Sequence, residues 1–583
     1  MPASTQSGRP RLDPGGDAWP LLLLVGAYLV VAWIIPPSYE VPQNDDWAYR
    51  IVLEQWTETG RLAHLGWNDP TLVFQLFWGA GFAHLFGLSY TTLRLSTLVL
   101  SVMGVLSLYG ILRWTGTSRS LSLVGASLLL FNPLHLILSY SFNTDVPYLG
   151  LATAATLLFL VALERARLGL FLAAGIVSAC AFLVRQPGIL IPAVVSVYLL
   201  LGREDWRKRL AAVVASLGPA LLALQLHAAW MSGQTSASWL ERASNLHPFF
   251  HEGRPAQFLD LLVGAALSAA NTVMTLGLFL VPLTLGISLA RPGRLAASRR
   301  LRWALAASLA LLALAAWISI GRQPGPWQGW PYRGNYLTRG GGLPQFVVGE
   351  VGPAWAWNAL TLVVPFLGAW LLALGLDALV RPRGGLRAFA PTLVFCIAVA
   401  QFLPSFAQVE FYDRYLLVLL PGSVVLAASW MPAPRRGWPA ALLVLALFVA
   451  ASVEYARAYV DRSKAAWGVA EALVARGASP AQIRLGFEWE GSHLYLEALR
   501  RFGHGDRFDF QRDFPWDPLL DPRYTIREFA AAPTEPFAAY RPFFGMHPRF
   551  VGVVPIPCSS STGPGSRSKT PAPGDLQLGH ARP

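Results

Sequence analysis

Trp19-Pro20-Leu21-Leu22-Leu23-Leu24-Val25-Gly26-Ala27-Tyr28-Leu29-Val30-Val31-Ala32-Trp33-Ile34-Ile35-Pro36-Pro37 is a run of nineteen residues without a charge. Wound as a helix at about 1.5 Å per residue it measures about 28 Å, close to the roughly 30 Å hydrocarbon core of a bilayer. It comes after Arg9 and Arg11, lacks a small-residue cleavage site, and is succeeded by further runs of the same kind. It therefore reads as a retained first span rather than a leader.

The remainder of the 583-residue chain repeats this pattern. Hydrophobic residues make up 54% and charged residues 14% of the sequence, against roughly a quarter charged in a soluble domain. No soluble fold hides that much apolar surface. Apolar blocks at 19–37, 90–112, 120–138, 145–163, 168–184, 187–202, 209–230, 271–290, 303–320, 354–378, 388–407, 415–431 and 437–453 predict an all-α polytopic membrane protein of about thirteen spans. Cys180, Cys396 and Cys558 are scattered and form no disulfide or metal framework. No GxGxxG or Walker-type loop and no fixed-period repeat is present.

The net charge of +13 raises the question of a nucleic-acid partner. The basic residues answer it by their places: Arg113 and Arg119, Arg165 and Arg167, Arg207 to Arg209, Arg299 to Arg302, Arg381 to Arg387, and Arg435 and Arg436 all occupy short connections between spans. The alternate connections, 38–89, 139–144, 231–270 and 321–353, are mostly longer, richer in Trp, Tyr, Asp and Glu, and poorer in Arg. By the positive-inside rule the basic set and residues 1–18 face the cytoplasm and the alternate set faces outward, with no nucleic acid implied. Two stretches, 70–88 and 255–270, are apolar enough to cross, and an extra crossing at either inverts everything downstream. The even alternation of basic loops places both along the outer interface.

Beyond residue 453 the composition becomes that of a soluble domain, here 454–558, which an odd number of spans puts outside. Trp467, Ala470 and Val474 lie near helical spacing with Gly477 as C-cap, Ser479-Pro480-Ala481-Gln482 has capping-box spacing, and Ile483 to Trp489 reads as a strand. A small α/β unit is expected. The tail 559–583, rich in Ser, Gly and Pro, is expected to be disordered.

Charge recurs at the predicted outer face. Gln43-Asn44-Asp45-Asp46-Trp47-Ala48-Tyr49-Arg50 sets two adjacent acids just after the first span, before an amphipathic stretch ending at Gly60; Asn143-Thr144-Asp145-Val146-Pro147 sets another at the head of the fourth. The simpler reading of each is helix capping. Two arginines break the positive-inside pattern: Arg185 in Val184-Arg185-Gln186-Pro187-Gly188, and Arg414 in Tyr412-Asp413-Arg414-Tyr415-Leu416. Their simpler reading is snorkelling or a structural ion pair. Acids and arginines on one membrane face instead suit chemistry on an anionic lipid headgroup, since a guanidinium binds phosphate bidentately. The aromatic loop Trp327 to Tyr336 reads as an interfacial belt, and His64, His84 and His135 as packing residues.

Taken in order, these segments resemble the GT-C superfamily of polyprenyl-phosphate-sugar-dependent glycosyltransferases, specifically family 39, which includes protein mannosyltransferases and the bacterial aminoarabinose transferase. The likeness is carried by Asp45, Asp46, Tyr49 and Gly60, by Thr144-Asp145-Val146-Pro147, by Arg185 (many members have Lys-Gly here, this chain Arg-Gln-Pro-Gly), and by Arg414-Tyr415-Leu416 with Pro421 downstream. It covers 19–453 and is clearest up to Pro192. The resemblance implies transfer of a sugar, with inversion, from a polyprenyl-phosphate donor to a lipid, glycan or protein acceptor outside the cytoplasmic membrane. It implies Asp45 as base with Asp46 orienting it or binding the acceptor, the two exchangeable, and Asp145 as a second acid. Arg414, Arg185 and, more weakly, Arg94 are then the lipid-phosphate ligands, with Tyr49 and Tyr415 supporting. No metal is expected by default, although clustered carboxylates suit a divalent cation. A transporter or flippase for lipid-linked sugars predicts midplane charges or broken repeats, and a polysaccharide polymerase or ligase a large outer loop late in the chain; both remain alternatives.

Overall fold

The computed structural model describes residues 14–62, 71–202, 205–233, 255–290, 299–321, 354–379, 386–407, 412–430, 438–502, 514–534, 536–541 and 547–556. The aromatic loop 327–336, His64, most of the basic connections after residue 290 and the tail 559–583 lie outside them.

The helices are α1 (Pro14–Ile34), α2 (Asp46–Thr59), α3 (Val73–Phe86), α4 (Tyr90–Trp114), α5 (Arg119–Leu130), α6 (Pro133–Ser139), α7 (Asp145–Arg165), α8 (Leu168–Phe182), α9 (Leu190–Leu200), α10 (Trp206–Ser232), α11 (Pro255–Phe279), α12 (Val281–Ala290), α13 (Arg299–Gly321), α14 (Ala354–Leu379), α15 (Leu386–Phe402), α16 (Leu419–Ala428), α17 (Trp438–Ala475) and α18 (Phe487–Phe502). Each predicted apolar block overlaps at least one described helix. Among the described residues six helices are long and apolar enough to cross a membrane alone, seven if the bent pair α5–α6 counts as one span. Side chains such as Trp33, 83% exposed on α1, make sense against lipid and not against water.

Local chemistry explains the breaks. The α5–α6 pair bends by 61° because Pro133 disfavours helix at Asn132, whose side chain then caps α6 by accepting from the Leu134 and His135 N–H groups at 3.1 and 3.3 Å. Close packing between α4 and α7 depends on glycine: a Cβ on Gly104 would sit 2.9 Å from the Gly150 Cα, as at small-residue contacts between membrane helices. His135 is buried and hydrogen-bonds Ser101 Oγ at 3.3 Å, a packing role.

Two expectations are corrected. The stretch 255–270 is no separate interfacial helix; it is the first part of the single continuous helix α11, which runs on to Phe279. The strand read over 483–489 ends after two residues, Ile483–Arg484 (β1), because Gly486 takes φ +132 and the amphipathic helix α18 begins at Phe487. The cap at Gly477, φ +97, and the Ser479/Gln482 box are as predicted, with Ser479 N–H donating to Gln482 Oε1 at 3.1 Å.

The C-terminal unit is a four-stranded sheet ordered β1-β2-β4-β3, with β2 (Tyr524–Phe529), β3 (Phe537–Tyr540) and β4 (Arg549–Pro555). β1 and β2 run parallel; β2 and β3 each pair antiparallel with β4, with Ile526 opposite Val553 and Ala538 opposite Val551. The compositional boundary at 453 lies inside α17, whose 38 residues extend about 57 Å. One helix is thus both the last apolar block and a support of the sheet, with its later residues Trp467, Val469 and Ala470 buried in the same core as Ile526 and Val551.

Candidate active site

The predicted site residues converge at the end of the bundle that meets the C-terminal unit. After α1 the chain passes through Pro36, Pro37 and Pro42 without regular structure, then turns at Asn44, whose φ of +55 lies in the left-handed region that Asn tolerates. Two devices pin this strap. Glu40 caps α4, accepting from the Tyr90 and Thr91 N–H groups at 2.8 and 3.1 Å and from the Thr91 hydroxyl at 2.7 Å. Arg94, 1% exposed, donates to four carbonyls: Tyr140 (2.5 Å), Pro37 (2.7 Å), Tyr39 (2.8 Å) and Val41 (3.1 Å). Its guanidinium also lies 3.6 Å over the Tyr39 ring.

Arg94, the weaker candidate of the predicted phosphate-binding set, is thus placed beneath the strap, apart from the other two arginines, with four of its N–H groups donated to backbone oxygens.

The two adjacent acids diverge. Asp46 is buried, accepts from Gln43 N–H at 2.7 Å and from Ser141 Oγ at 3.4 Å, and so closes the turn that presents its neighbour. Burial pushes its carboxyl up to about 8, with Arg94 and the Gln43 N–H opposing the rise. Asp45 occupies the N-cap position of α2 but makes no capping bond. Its carboxylate instead accepts from Arg414 at 3.1 Å, with side-chain exposures of 16% and 12%.

Asp145 likewise heads α7. It pairs with Arg185 and lies 3.9 Å from Arg414. Arg185 comes from the turn between α8 and α9, and Arg414 from the 3-10 segment Asp413–Val418 leading into α16. Tyrosines enclose them: Arg185 stands 5.3 Å over Tyr415, Arg414 5.0 Å over Tyr412, and Tyr412 and Tyr415 meet edge to face at 5.7 Å. Tyr49 is buried within the electrostatic reach of all four charged groups. The result is two carboxylates and two guanidinium groups interleaved in an aromatic cup. Each acid is paired with an arginine. Among the described residues no cluster of three or more His, Cys, Asp or Glu is placed to hold a metal.

Sequence reasoning missed Tyr412 as a wall of the cup and missed Glu488 on α18. Asn44 N–H donates to Glu488 Oε1 at 3.3 Å across 444 positions of sequence. No motif marks Glu488; only the amphipathic pattern of α18 signals that a face of that helix is covered.

Residues 70–232, which include Arg94, Asp145 and Arg185, match the family model described as dolichyl-phosphate-mannose-protein mannosyltransferase. No curated protein matches the chain. Among solved structures, ArnT from Cupriavidus metallidurans in the apo state aligns over 92% of this chain and 98% of its own at 17% identity, with a TM-score of 0.34. The same protein bound to undecaprenyl phosphate gives 16% identity, the same 92% and 98% coverage and a TM-score of 0.35. An oligosaccharyltransferase of Archaeoglobus fulgidus tethered to an acceptor peptide aligns over 70% of this chain and 55% of its own at 14% identity, TM-score 0.27. The family match falls on the segment that carries several of the ordered motifs, in a chain whose described residues include at least six helices long and apolar enough to cross a membrane: over residues 70–232 this multi-pass membrane protein is similar to lipid-phosphate-sugar-dependent glycosyltransferases.

Proposed function

We propose that the chain transfers a sugar from a polyprenyl-phosphate donor to a hydroxyl or amine acceptor at the outer face of the cytoplasmic membrane, inverting the anomeric centre. The observation that carries this reading is the Asp45–Arg414 pair at 3.1 Å, flanked by Asp145 and Arg185, on a family whose model is described by a lipid-phosphate sugar. The dolichyl-phosphate-mannose donor in that family's description supports the donor class here.

The charges suit the sequence of events. An entering lipid phosphate competes with the carboxylates for Arg414 and Arg185, because a bidentate phosphate contact satisfies a guanidinium as well as a carboxylate does. Asp45, relieved of its partner, takes the proton from the acceptor. The acceptor oxygen or nitrogen attacks the anomeric carbon opposite the phosphate, the bond from that carbon to the phosphate oxygen breaks, and the electron pair stays on the phosphate. The leaving group is already stable as an anion, so fixed positive charge replaces a general acid. Asp46, carrying its proton at neutral pH, orients the turn and is not the base. Asp145 holds Arg185 and defines the acceptor side.

Arg414→Ala and Arg185→Ala are expected to weaken binding of undecaprenyl phosphate to the purified protein by about 10- to 150-fold each, the worth of a charged hydrogen bond of roughly 1.5–3 kcal/mol, and Arg414→Lys to recover part of it. Unchanged binding in both alanine variants removes the phosphate role. The outward orientation has its own test: a cysteine introduced in the C-terminal unit reacts with a membrane-impermeant thiol reagent in intact cells. Labelling only after lysis overturns the topology.

A further inference from the structure

We propose that Glu488, supplied by the C-terminal unit, is a positioning residue for Asp45: its carboxylate holds the Asn44 N–H and thereby aims the acid at the N-cap of α2 into the cup. This rests on reading Asp45 as the base.

The turn from Gln43 to Asp46 is clamped from two sides. From within the strap, Asp46 accepts from Gln43 N–H at 2.7 Å; from the other domain, Glu488 accepts from Asn44 N–H at 3.3 Å. Asn44 sits in a left-handed conformation, φ +55, which costs a non-glycine residue energy unless its surroundings enforce it. The Glu488 contact is such an enforcement, applied at the residue next to Asp45.

Helix α18 is itself held to α2 with little freedom. Trp47, 0% exposed, is edge-on to Phe487, Tyr495 and Trp516 at 5.6, 5.3 and 5.5 Å. Gly491 lies so close that a Cβ there would approach the Trp47 ring to 2.5 Å, inside any real carbon contact. The interface is thus a fit of indole against bare backbone one turn from Glu488, and it transmits the position of α18 directly to the Asn44-Asp45-Asp46 turn.

Charge adds a second effect. The groups facing Glu488 are Asp45 and Asp46 from α2 and Arg462 from α17. Burial raises the Glu488 carboxyl to about 7, and Asp45 adds to the rise. Glu488 is thus protonated below neutrality and ionised above it. Once ionised it is a stronger acceptor for the Asn44 N–H. Turnover should therefore rise with pH through the neutral range by a component that belongs to Glu488. Asp46 also titrates nearby and feels the Glu488 charge, so wild type and Glu488→Gln are compared both as they stand and in an Asp46→Asn background, where only Glu488 remains to titrate.

The test measures release of undecaprenyl phosphate by the full-length protein in bilayers from undecaprenyl phosphate carrying mannose or aminoarabinose, between pH 5.5 and 8.5. Glu488→Gln keeps an acceptor for the Asn44 N–H but no charge. It is expected to lose the rise through neutrality, with kcat roughly three- to tenfold lower at pH 8 and donor KM within about twofold of wild type. Glu488→Ala loses both functions and is expected to fall by roughly tenfold or more at every pH, as displacement of a reacting group does. Where the alanine variant fails to fold, the isosteric glutamine variant decides. Asp45→Asn runs alongside. An inactive Asp45→Asn with wild-type kcat and pH profile in Glu488→Gln overturns the positioning role and leaves the base reading intact. A fully active Asp45→Asn, or a wild type that releases nothing from either donor, overturns the base reading and the role of Glu488 with it.

Discussion

Asp45→Asn lowers sugar transfer by about 10²- to 10⁴-fold, the usual worth of a positioned general base, while Asp46→Asn retains most of the wild-type rate near pH 7. The contrast is sharp because the two residues are neighbours of identical chemistry. Asn at 45 keeps the shape and an oxygen for Arg414, which reaches Asp45 at 3.1 Å, so what it removes is the capacity to take a proton. Asn at 46 replaces a carboxyl that burial has already pushed to about 8, so at neutral pH it exchanges one neutral group for another and can still accept from Gln43. Above pH 8 the wild-type Asp46 ionises in its buried place, which weakens the strap, and Asp46→Asn should then be the less pH-sensitive protein. Transfer measured in membranes from a polyprenyl-phosphate donor checks both. A dead Asp46→Asn beside an active Asp45→Asn reverses the roles assigned to them.

Arg94→Ala is expected to cost the protein its folded state rather than its donor affinity. Four carbonyls, of Pro37, Tyr39, Val41 and Tyr140, accept from one guanidinium. Leaving buried acceptors unsatisfied costs about 1–3 kcal/mol each, and a few such losses approach the 5–15 kcal/mol typical of a whole domain. The ammonium of Arg94→Lys, with a single nitrogen, cannot span the same four oxygens and should recover only part of the loss. The check is thermal unfolding of the purified full-length protein, with undecaprenyl phosphate binding measured on whatever folds. An alanine variant of wild-type stability with weakened binding would return Arg94 to the phosphate site.

Arg94 also marks the limit of what the sequence discloses. A cation at the start of a span is visible as a string of letters, but what fills its donors depends on how residues 37–41 fold back over it. The same limit hid Glu488, which reaches Asn44 across 444 positions through packing of Trp47 against Gly491. By contrast, lipid-length apolar blocks are local and survive translation into helices α1 to α17 almost unchanged. Asp45, Asp145, Arg185 and Arg414 were legible because a membrane sorts charges by side before any tertiary contact is considered, and in the structure those four interleave. The strand read over 483–489 ends early for a physical reason: the alternation Ile483, Leu485, Phe487, Trp489 fits a strand, but the positive φ at Gly486 turns the chain into helix.

The unbroken helix from Trp438 to Ala475 makes the surrounding lipid a participant. A thinner or thicker bilayer is accommodated by helix tilt at a modest energetic cost per ångström, and a helix without a joint carries that tilt to its far end. There its residues share one core with the sheet, beside the helix that grips the turn before Asp45. Membrane thickness, a property of the solvent and not of the sequence, is therefore mechanically linked to the alignment of Asp45.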